Sequence, residues 1–181
     1  MARFLFVVPP MTGHTNPTLA VAAELASRGH EPAWCGYEAL LERLLPEEAR
    51  RFGLEGSLPD GFLQEIGERA LKVRGLPGLK FLWEEVLLPL ARDMTPGVER
   101  VVSEFRPDVI ISDQQAFAGA FAARRAKLPW ATSATTSADR RISLANIPKV
   151  LDWAEERLTE LQLELKLEPV KEPENSPHRV I

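Results

Sequence analysis

Short apolar runs alternate along the chain with stretches whose apolar residues recur every three or four positions. Arg3 to Val8 carries Phe4-Leu5-Phe6-Val7-Val8 and breaks at Pro9-Pro10, which predicts a short strand buried on both faces. Met11 to Thr15 reads as a loop. Asn16 suits a helix N-cap with Pro17 at the first helical position, and Leu19, Val21, Ala22, Leu25 and Ala26 give an apolar helical face that ends at Gly29. Glu31 to Tyr37 resumes as a strand, with Pro32 near its start, where a strand tolerates proline. Strand, helix and strand in this order predict a parallel pair joined by a right-handed crossover.

The pattern then loosens. Leu40 to Arg51 reads as helix, and a short third strand is expected near residues 51 to 55, at the start of a stretch (Phe52 to Asp60) broken by Gly53, Gly56 and Pro59. From Gly61 to Phe105 two helical stretches are expected, separated by Gly75-Leu76-Pro77-Gly78. The second carries Phe81, Leu82, Val86, Leu87, Leu90, Val98, Val101, Val102 and Phe105, with a kink or fresh start at Pro96. Asp108 to Asp113 is the clearest buried strand, followed by a small-residue helix over Phe117 to Ala126 and a strand over Trp130 to Ser133. Ile147 to Leu167 is an amphipathic helix. Glu168 to His178 is rich in Pro and Glu without a period and reads as loop or tail, and Arg179-Val180-Ile181 reads as a strand cut off as it begins. The whole is an α/β pattern, a doubly wound parallel sheet flanked by helices. No internal repeat is evident.

Composition narrows the function classes. A chain of 181 residues with 45% hydrophobic and 27% charged residues has room for one sizeable globular core. Lys and Arg total 22 against 26 Asp and Glu, a formal charge of -4, the opposite of the balance a nucleic-acid module carries. Cys35 has no second cysteine to pair with and sits in an apolar strand, where it reads as a small buried hydrophobe, so a reducing cytoplasm is expected. His14, His30 and His178 are too dispersed for a metal site. No apolar run reaches the roughly 18 residues a membrane span needs, so neither membrane nor export is expected.

In a doubly wound sheet, ligands bind beyond the carboxyl ends of the strands where strand order reverses. Strands 3–8 and 108–112 should flank that point, which brings His14 and Asp113 to one crevice despite their separation in sequence. An imidazole held by a carboxylate is the arrangement a general base needs, since the carboxylate fixes the tautomer and stabilises the imidazolium. The alternative is that Asp113 caps the following helix and His14 merely occupies a turn. Only one glycine, Gly13, stands in the first loop, so neither a dinucleotide fingerprint nor a phosphate loop is present, and no G-x-S-x-G elbow occurs. Glu38 at the second strand's end reads as solvated and His30 as structural. The hydroxyl run Thr132, Ser133, Thr135, Thr136 and Ser137 either lines a pocket or satisfies its own backbone. Phe62, Leu63, Leu79, Phe81, Leu82 and Trp83 form either an apolar ligand wall or core packing.

The segment from Phe4 through Gly13-His14-Thr15-Asn16-Pro17 resembles the opening of family 1 glycosyltransferases, GT-B enzymes related to bacterial macrolide glycosyltransferases and UDP-glycosyltransferases. The similarity continues through Leu25 to Glu31, Pro107 to Asp113 and Leu128 to Ser133. It implies a Rossmann-like domain, one half of a GT-B fold, with His14 deprotonating an acceptor hydroxyl and Asp113 orienting it. It further implies an inverting, metal-free transfer from a nucleotide-sugar, expected to be a UDP-sugar, with no other cofactor. Residues 60 to 95 would shape the pocket of a hydrophobic small-molecule acceptor, for which Thr12, Gly13, Phe62, Trp83, Gln114, Thr132 and Ser133 are the expected contacts. Residues 1–167 are read as the acceptor-binding domain and 168–181 as tail and truncated strand, with the donor-binding domain missing. A donor-binding domain or second chain is therefore the expected partner, little turnover is expected without it, and the uncovered face predicts a homodimer. The competing reading is a non-catalytic binding module or engineered scaffold that keeps the fold.

Overall fold

A computed structural model describes residues 1–56, 61–136, 144 and 146–181. Pro59, Ser137 and the side chain of Leu63, invoked above, lie outside the described residues. The centre is a six-stranded, all-parallel sheet: β1 (Arg3–Val7), β2 (Glu31–Tyr37), β3 (Arg51–Leu54), β4 (Val109–Asp113), β5 (Trp130–Ser133) and β6 (Arg179–Val180). Their order is β3-β2-β1-β4-β5-β6, so the winding reverses between β1 and β4. There Leu5 pairs with Ala33 on one side and Ile110 on the other. This is an α/β, Rossmann-like sheet, as the alternation of runs predicts.

The connections are α1 (Thr12–Ser27), α2 (Glu38–Leu44), α3 (Phe62–Ala70), α4 (Gly75–Phe81), α5 (Leu88–Phe105), α6 (Phe117–Ala126) and α7 (Pro148–Glu164). Several boundaries differ from the pattern reading. Helix α1 begins at Thr12, so Met11–Thr15 is not a loop and Pro17 lies inside the helix. The carbonyl that Pro17 cannot serve belongs to Gly13, which is exposed, so water can take it. Helix α2 stops at Leu44 because Pro46 drives Leu45 to an extended ψ of 149°. Gly75 to Gly78 do not separate two helices; they open α4, which runs through a π-helical turn at Leu82–Leu87 into α5. Pro96 starts no new helix either. It lies on the exposed face of α5, and the carbonyl it frees, that of the exposed Arg92, is open to solvent.

Both faces of the sheet are covered, which is why β1 is apolar throughout. Leu5, Val7, Ala33, Cys35 and Ile110 face α5 and α6, packing against Val98, Val101 and Phe105. Phe6, Val8, Trp34 and Ile111 face the opposite layer with Ala22 and Leu41. Trp34 stacks on Phe6 at 5.4 Å between ring centroids, and its indole N–H donates to Thr18 Oγ1 at 2.8 Å. A third cluster packs α7 against the π turn and α6 through Trp83, Leu87, Phe121, Leu158 and Leu161.

The 168–181 segment is not free of the fold. Thr132 Oγ1 donates to the Glu174 carbonyl at 2.9 Å and accepts from the Ser176 N–H at 2.7 Å, and Ser176 Oγ donates to the Trp130 carbonyl at 2.5 Å. These bonds lead the chain into β6 alongside β5.

Helix α6 approaches the sheet closely at Gly119. A Cβ there would stand 2.4 Å from Ser112 Oγ, 2.8 Å from Ser112 Cβ and 2.9 Å from Val7 Cβ. Those Cβ atoms are fixed by the strands and cannot yield. Gly119→Ala should therefore lose about 1–3 kcal/mol despite alanine's better helix propensity, and lower Tm in thermal denaturation; an unchanged or raised Tm would show that α6 can lift off the sheet freely.

Candidate active site

Three segments meet at the carboxyl ends of β1, β4 and β5. Strand β1 leads through Pro9-Pro10 into the first turn of α1, where the His14 and Thr15 amides both donate to the Met11 carbonyl. That turn carries the His14 ring. Strand β4 ends at Asp113, whose carboxylate has no exposed side-chain surface. Just past β5 stands Thr135.

His14 Nδ1 lies 3.0 Å from Asp113 Oδ1, with only 12% of the histidine side chain exposed. The Gln115 amide donates to the same Oδ1 at 2.8 Å, and Thr135 Oγ1 donates to Oδ2 at 3.2 Å. Thr135 Oγ1 is also 2.6 Å from His14 Nδ1. An ionised carboxylate only accepts, so Nδ1 carries the proton and Nε2 keeps its lone pair. Such an arrangement is competent for base chemistry: the imidazole is oriented, and a proton taken up at Nε2 would place positive charge beside a buried carboxylate. Both readings of Asp113 hold at once, since the carboxylate binds the ring and also closes the turn into α6 through Gln115.

The other expected contacts divide. Gln114 is buried beside the pair, its amide donating to the Ser133 carbonyl at 3.0 Å and its Oε1 accepting from Thr136 Oγ1 at 3.2 Å. Trp83 is buried, its ring centroid 6.0 Å from Phe117 and 6.1 Å from Trp153, and with Gln114, Thr136 and Glu174 it lines a cavity of about 100 Å³. A larger cavity of about 650 Å³ opens over Pro10 and Met11, walled by Ile66, Leu79, Phe81 and Val86. Phe62 packs against the main core, and the structure does not bring it to that cavity. Thr12 and Gly13 are exposed, with Thr12 Oγ1 accepting from Arg43 at 3.3 Å. Thr132 is fully buried and its hydroxyl is committed to Glu174 and Ser176.

Elsewhere His30 and Cys35 keep structural roles, while Glu38, read as solvated, is exposed but ion-paired at the start of α2. His30 Nδ1 accepts from the Ala2 amide at 3.2 Å, Glu38 pairs with Arg51 at 3.2 Å, and burial pushes the Cys35 thiol up to about 12. Tyr37 donates to Asp93 Oδ2 at 2.5 Å, and burial, reinforced by that carboxylate, holds its proton on well above the usual phenol range. Among the described residues no three His, Cys, Asp or Glu side chains gather as a metal site, and no helix is long and apolar enough to cross a membrane.

No family model matches the chain. The 4'-demethylrebeccamycin synthase of Lentzea aerocolonigenes is 28% identical over 75% of this chain and 32% of its own length. The demethyllactenocin mycarosyltransferase of Streptomyces fradiae is 31% identical over 65% of this chain and 25% of its own. Among solved structures, the glycosyltransferase SsfS6 of Streptomyces sp. SF2575 superposes with a TM-score of 0.68 at 16% identity, covering 92% of this chain and 47% of that one. Its structure with thymidine diphosphate superposes with a TM-score of 0.66. Over part of their length the chain is similar to glycosyltransferases, in line with the resemblance its sequence carries. It spans about a third or less of the curated relatives and under half of SsfS6.

Within this fold, pattern reading missed Thr135 as a partner of His14, and within the 60 to 95 stretch expected to shape a pocket it singled out neither Ile66 nor Gly67. Gly67 carried a usable signal, since a glycine inside a helix costs stability and calls for a packing or functional reason. Thr132 illustrates the reverse, a site candidate whose hydroxyl serves the architecture. Thr132→Val keeps its shape but leaves the Ser176 N–H and Glu174 carbonyl without that hydroxyl. It should destabilise the chain by about 1–3 kcal/mol in chemical denaturation; no loss of stability would show that these bonds do not hold the 168–181 segment down.

Proposed function

We propose that this chain is the acceptor-binding half of an inverting glycosyltransferase acting on a hydrophobic small-molecule alcohol or phenol. The observation that carries this is the oriented His14–Asp113 pair at the strand-order reversal, reached from the same Pro9–Met11 turn that lines the large apolar cavity. The hydroxyl of the acceptor gives its proton to His14 Nε2 as its oxygen attacks the anomeric carbon. A carbon–oxygen bond forms, the bond from that carbon to the nucleoside diphosphate breaks on the opposite face, and the configuration inverts. Asp113 stabilises the imidazolium and stays ionised.

The acceptor class follows from the wall: Ile66, Leu79, Phe81, Leu82 and Val86 make it mainly apolar, Arg74 is its one charged lining residue, and the volume suits a polycyclic or macrocyclic aglycone. The names of the two curated relatives, a rebeccamycin-type synthase and a mycarosyltransferase, support acceptors of that kind. The donor is a nucleoside diphosphate sugar. The sequence resemblance points to uridine and the SsfS6 complex to thymidine; the two share the diphosphate, and the test uses both. A donor-binding half, in the same or a second chain, supplies the diphosphate contacts.

Transfer should be assayed with flat aromatic and macrolide aglycones and UDP- or dTDP-sugars, on the chain alone and with a donor-binding half of the family supplied. His14→Ala should lower kcat by about 10²–10⁴, the range a general base contributes. Turnover that survives His14→Ala at the wild-type rate removes the base from the mechanism, and absence of both turnover and aglycone binding leaves the scaffold reading. Binding has its own check at Gly67, where an added Cβ meets no atom within 4 Å. Gly67→Phe should fill the cavity and weaken aglycone binding by about tenfold or more, a loss of about 1.4 kcal/mol or more, whereas Gly67→Ala should leave affinity intact and add up to about 1 kcal/mol of helix stability. Equal affinity in both variants, followed by tryptophan fluorescence, would place the aglycone elsewhere.

A further inference from the structure

The hydroxyl of Thr135 is closer to His14 Nδ1, at 2.6 Å, than the Asp113 carboxylate is, at 3.0 Å. The remaining bonds fix its role. Asp113 Oδ1 is shared with the Gln115 amide at 2.8 Å, so it cannot give its full accepting capacity to the ring. Thr135 spends its own proton on Asp113 Oδ2 at 3.2 Å, which turns a lone pair of the hydroxyl toward Nδ1. The Nδ1 proton thus has two acceptors, one direct to the carboxylate and one through a hydroxyl that the same carboxylate polarises.

We infer that Thr135 is a positioning residue for His14, closing a three-membered hydrogen-bonded ring of imidazole, carboxylate and hydroxyl that locks the Nδ1–H tautomer and leaves Nε2 as base. The inference rests on the reading of His14 given above. It adds a third member from a third strand end, and Thr135 touches no reacting atom in this role. Because polarised bonds in a chain reinforce one another, the hydroxyl does more than fill space. A valine at 135 would keep the packing and remove both of its bonds, while a serine would keep both.

The test is read on the ring and needs no turnover. In the 15N-labelled chain the three histidines give separate ring signals, with His14 assigned by its loss in His14→Asn. The wild type should show a neutral His14 protonated at Nδ1. In Thr135→Val the Nδ1 proton should exchange with water about fivefold faster or more, as expected for one lost hydrogen bond, and Thr135→Ser should stay within about twofold of wild type. Should Thr135→Val fail to fold, judged by its thermal transition and the His30 signals, Thr135→Ala replaces it. Exchange in the folded variant equal to wild type overturns the inference and leaves Asp113 as the sole anchor.

The transfer assay separates this from the base itself. A changed ring signal with turnover insensitive to His14→Ala upholds the lock and sinks the base; an unchanged ring signal with turnover abolished in His14→Ala does the reverse.

Discussion

Asp113 ends β4 as a carboxylate without exposed surface, and a buried charge of this kind persists only where donors surround it. Its donors come from three places: the Gln115 amide two residues along its own chain, the Thr135 hydroxyl past β5, and the His14 ring from the first turn of α1. These segments are neighbours only because the winding reverses between β1 and β4, which leaves the loops after β1 and β4 side by side. The charge and the topology therefore support each other. Removing one donor would leave a buried acceptor under-solvated, a cost of about 1–3 kcal/mol or more, so the same contacts that orient the His14 ring also hold the strand ends in place.

That dependence explains what was legible in the sequence. The strands could be read because a sheet covered on both faces needs continuous apolar runs, and Phe4 to Val8 and Val109 to Ile111 have no other use. His14 and Asp113 could be paired because topology alone brings the ends of those runs together. Local rules failed where tertiary surroundings relaxed them. Asn16-Pro17 is a good helix start, yet the helix begins at Thr12 because the carbonyl that Pro17 leaves unserved is open to water. In the hydroxyl run, Thr132 and Thr135 look equivalent, but their partners lie 42 and 121 residues away, at Glu174 and His14, and nothing local distinguishes them.

The stripe of Leu79, Phe81, Leu82 and Trp83 posed a choice between core packing and ligand wall, and the structure gives this stretch both core and cavity neighbours. A π-helical turn at Leu82–Leu87 shifts the phase of the helix, so that successive side chains serve different neighbours. Val86 and Leu82 look onto the large cavity, while Trp83 and Leu87 pack with α7 and α6. A regular helix would have presented one face to one neighbour. With the irregular turn, one segment anchors α7 and walls a cavity at the same time, and the cavity depends on the packing behind it.

On the proposed function, this arrangement divides the reaction cleanly. Asp113 and Thr135 hold the His14 ring from the ends of β4 and β5, so this fold by itself orients the proposed base. A preorganised imidazole spends no binding energy on being oriented, and what remains for the other half of a GT-B enzyme is the charge that develops on the leaving diphosphate. Acceptor choice and acceptor activation then reside in one folding unit, coupled through the Pro9–Met11 turn that floors the cavity and leads into the turn of His14. The cavity wall can change, at Gly67 or along the stripe, without disturbing the base, because the base is held from β4 and β5 while the wall is built from α3, α4 and the π turn.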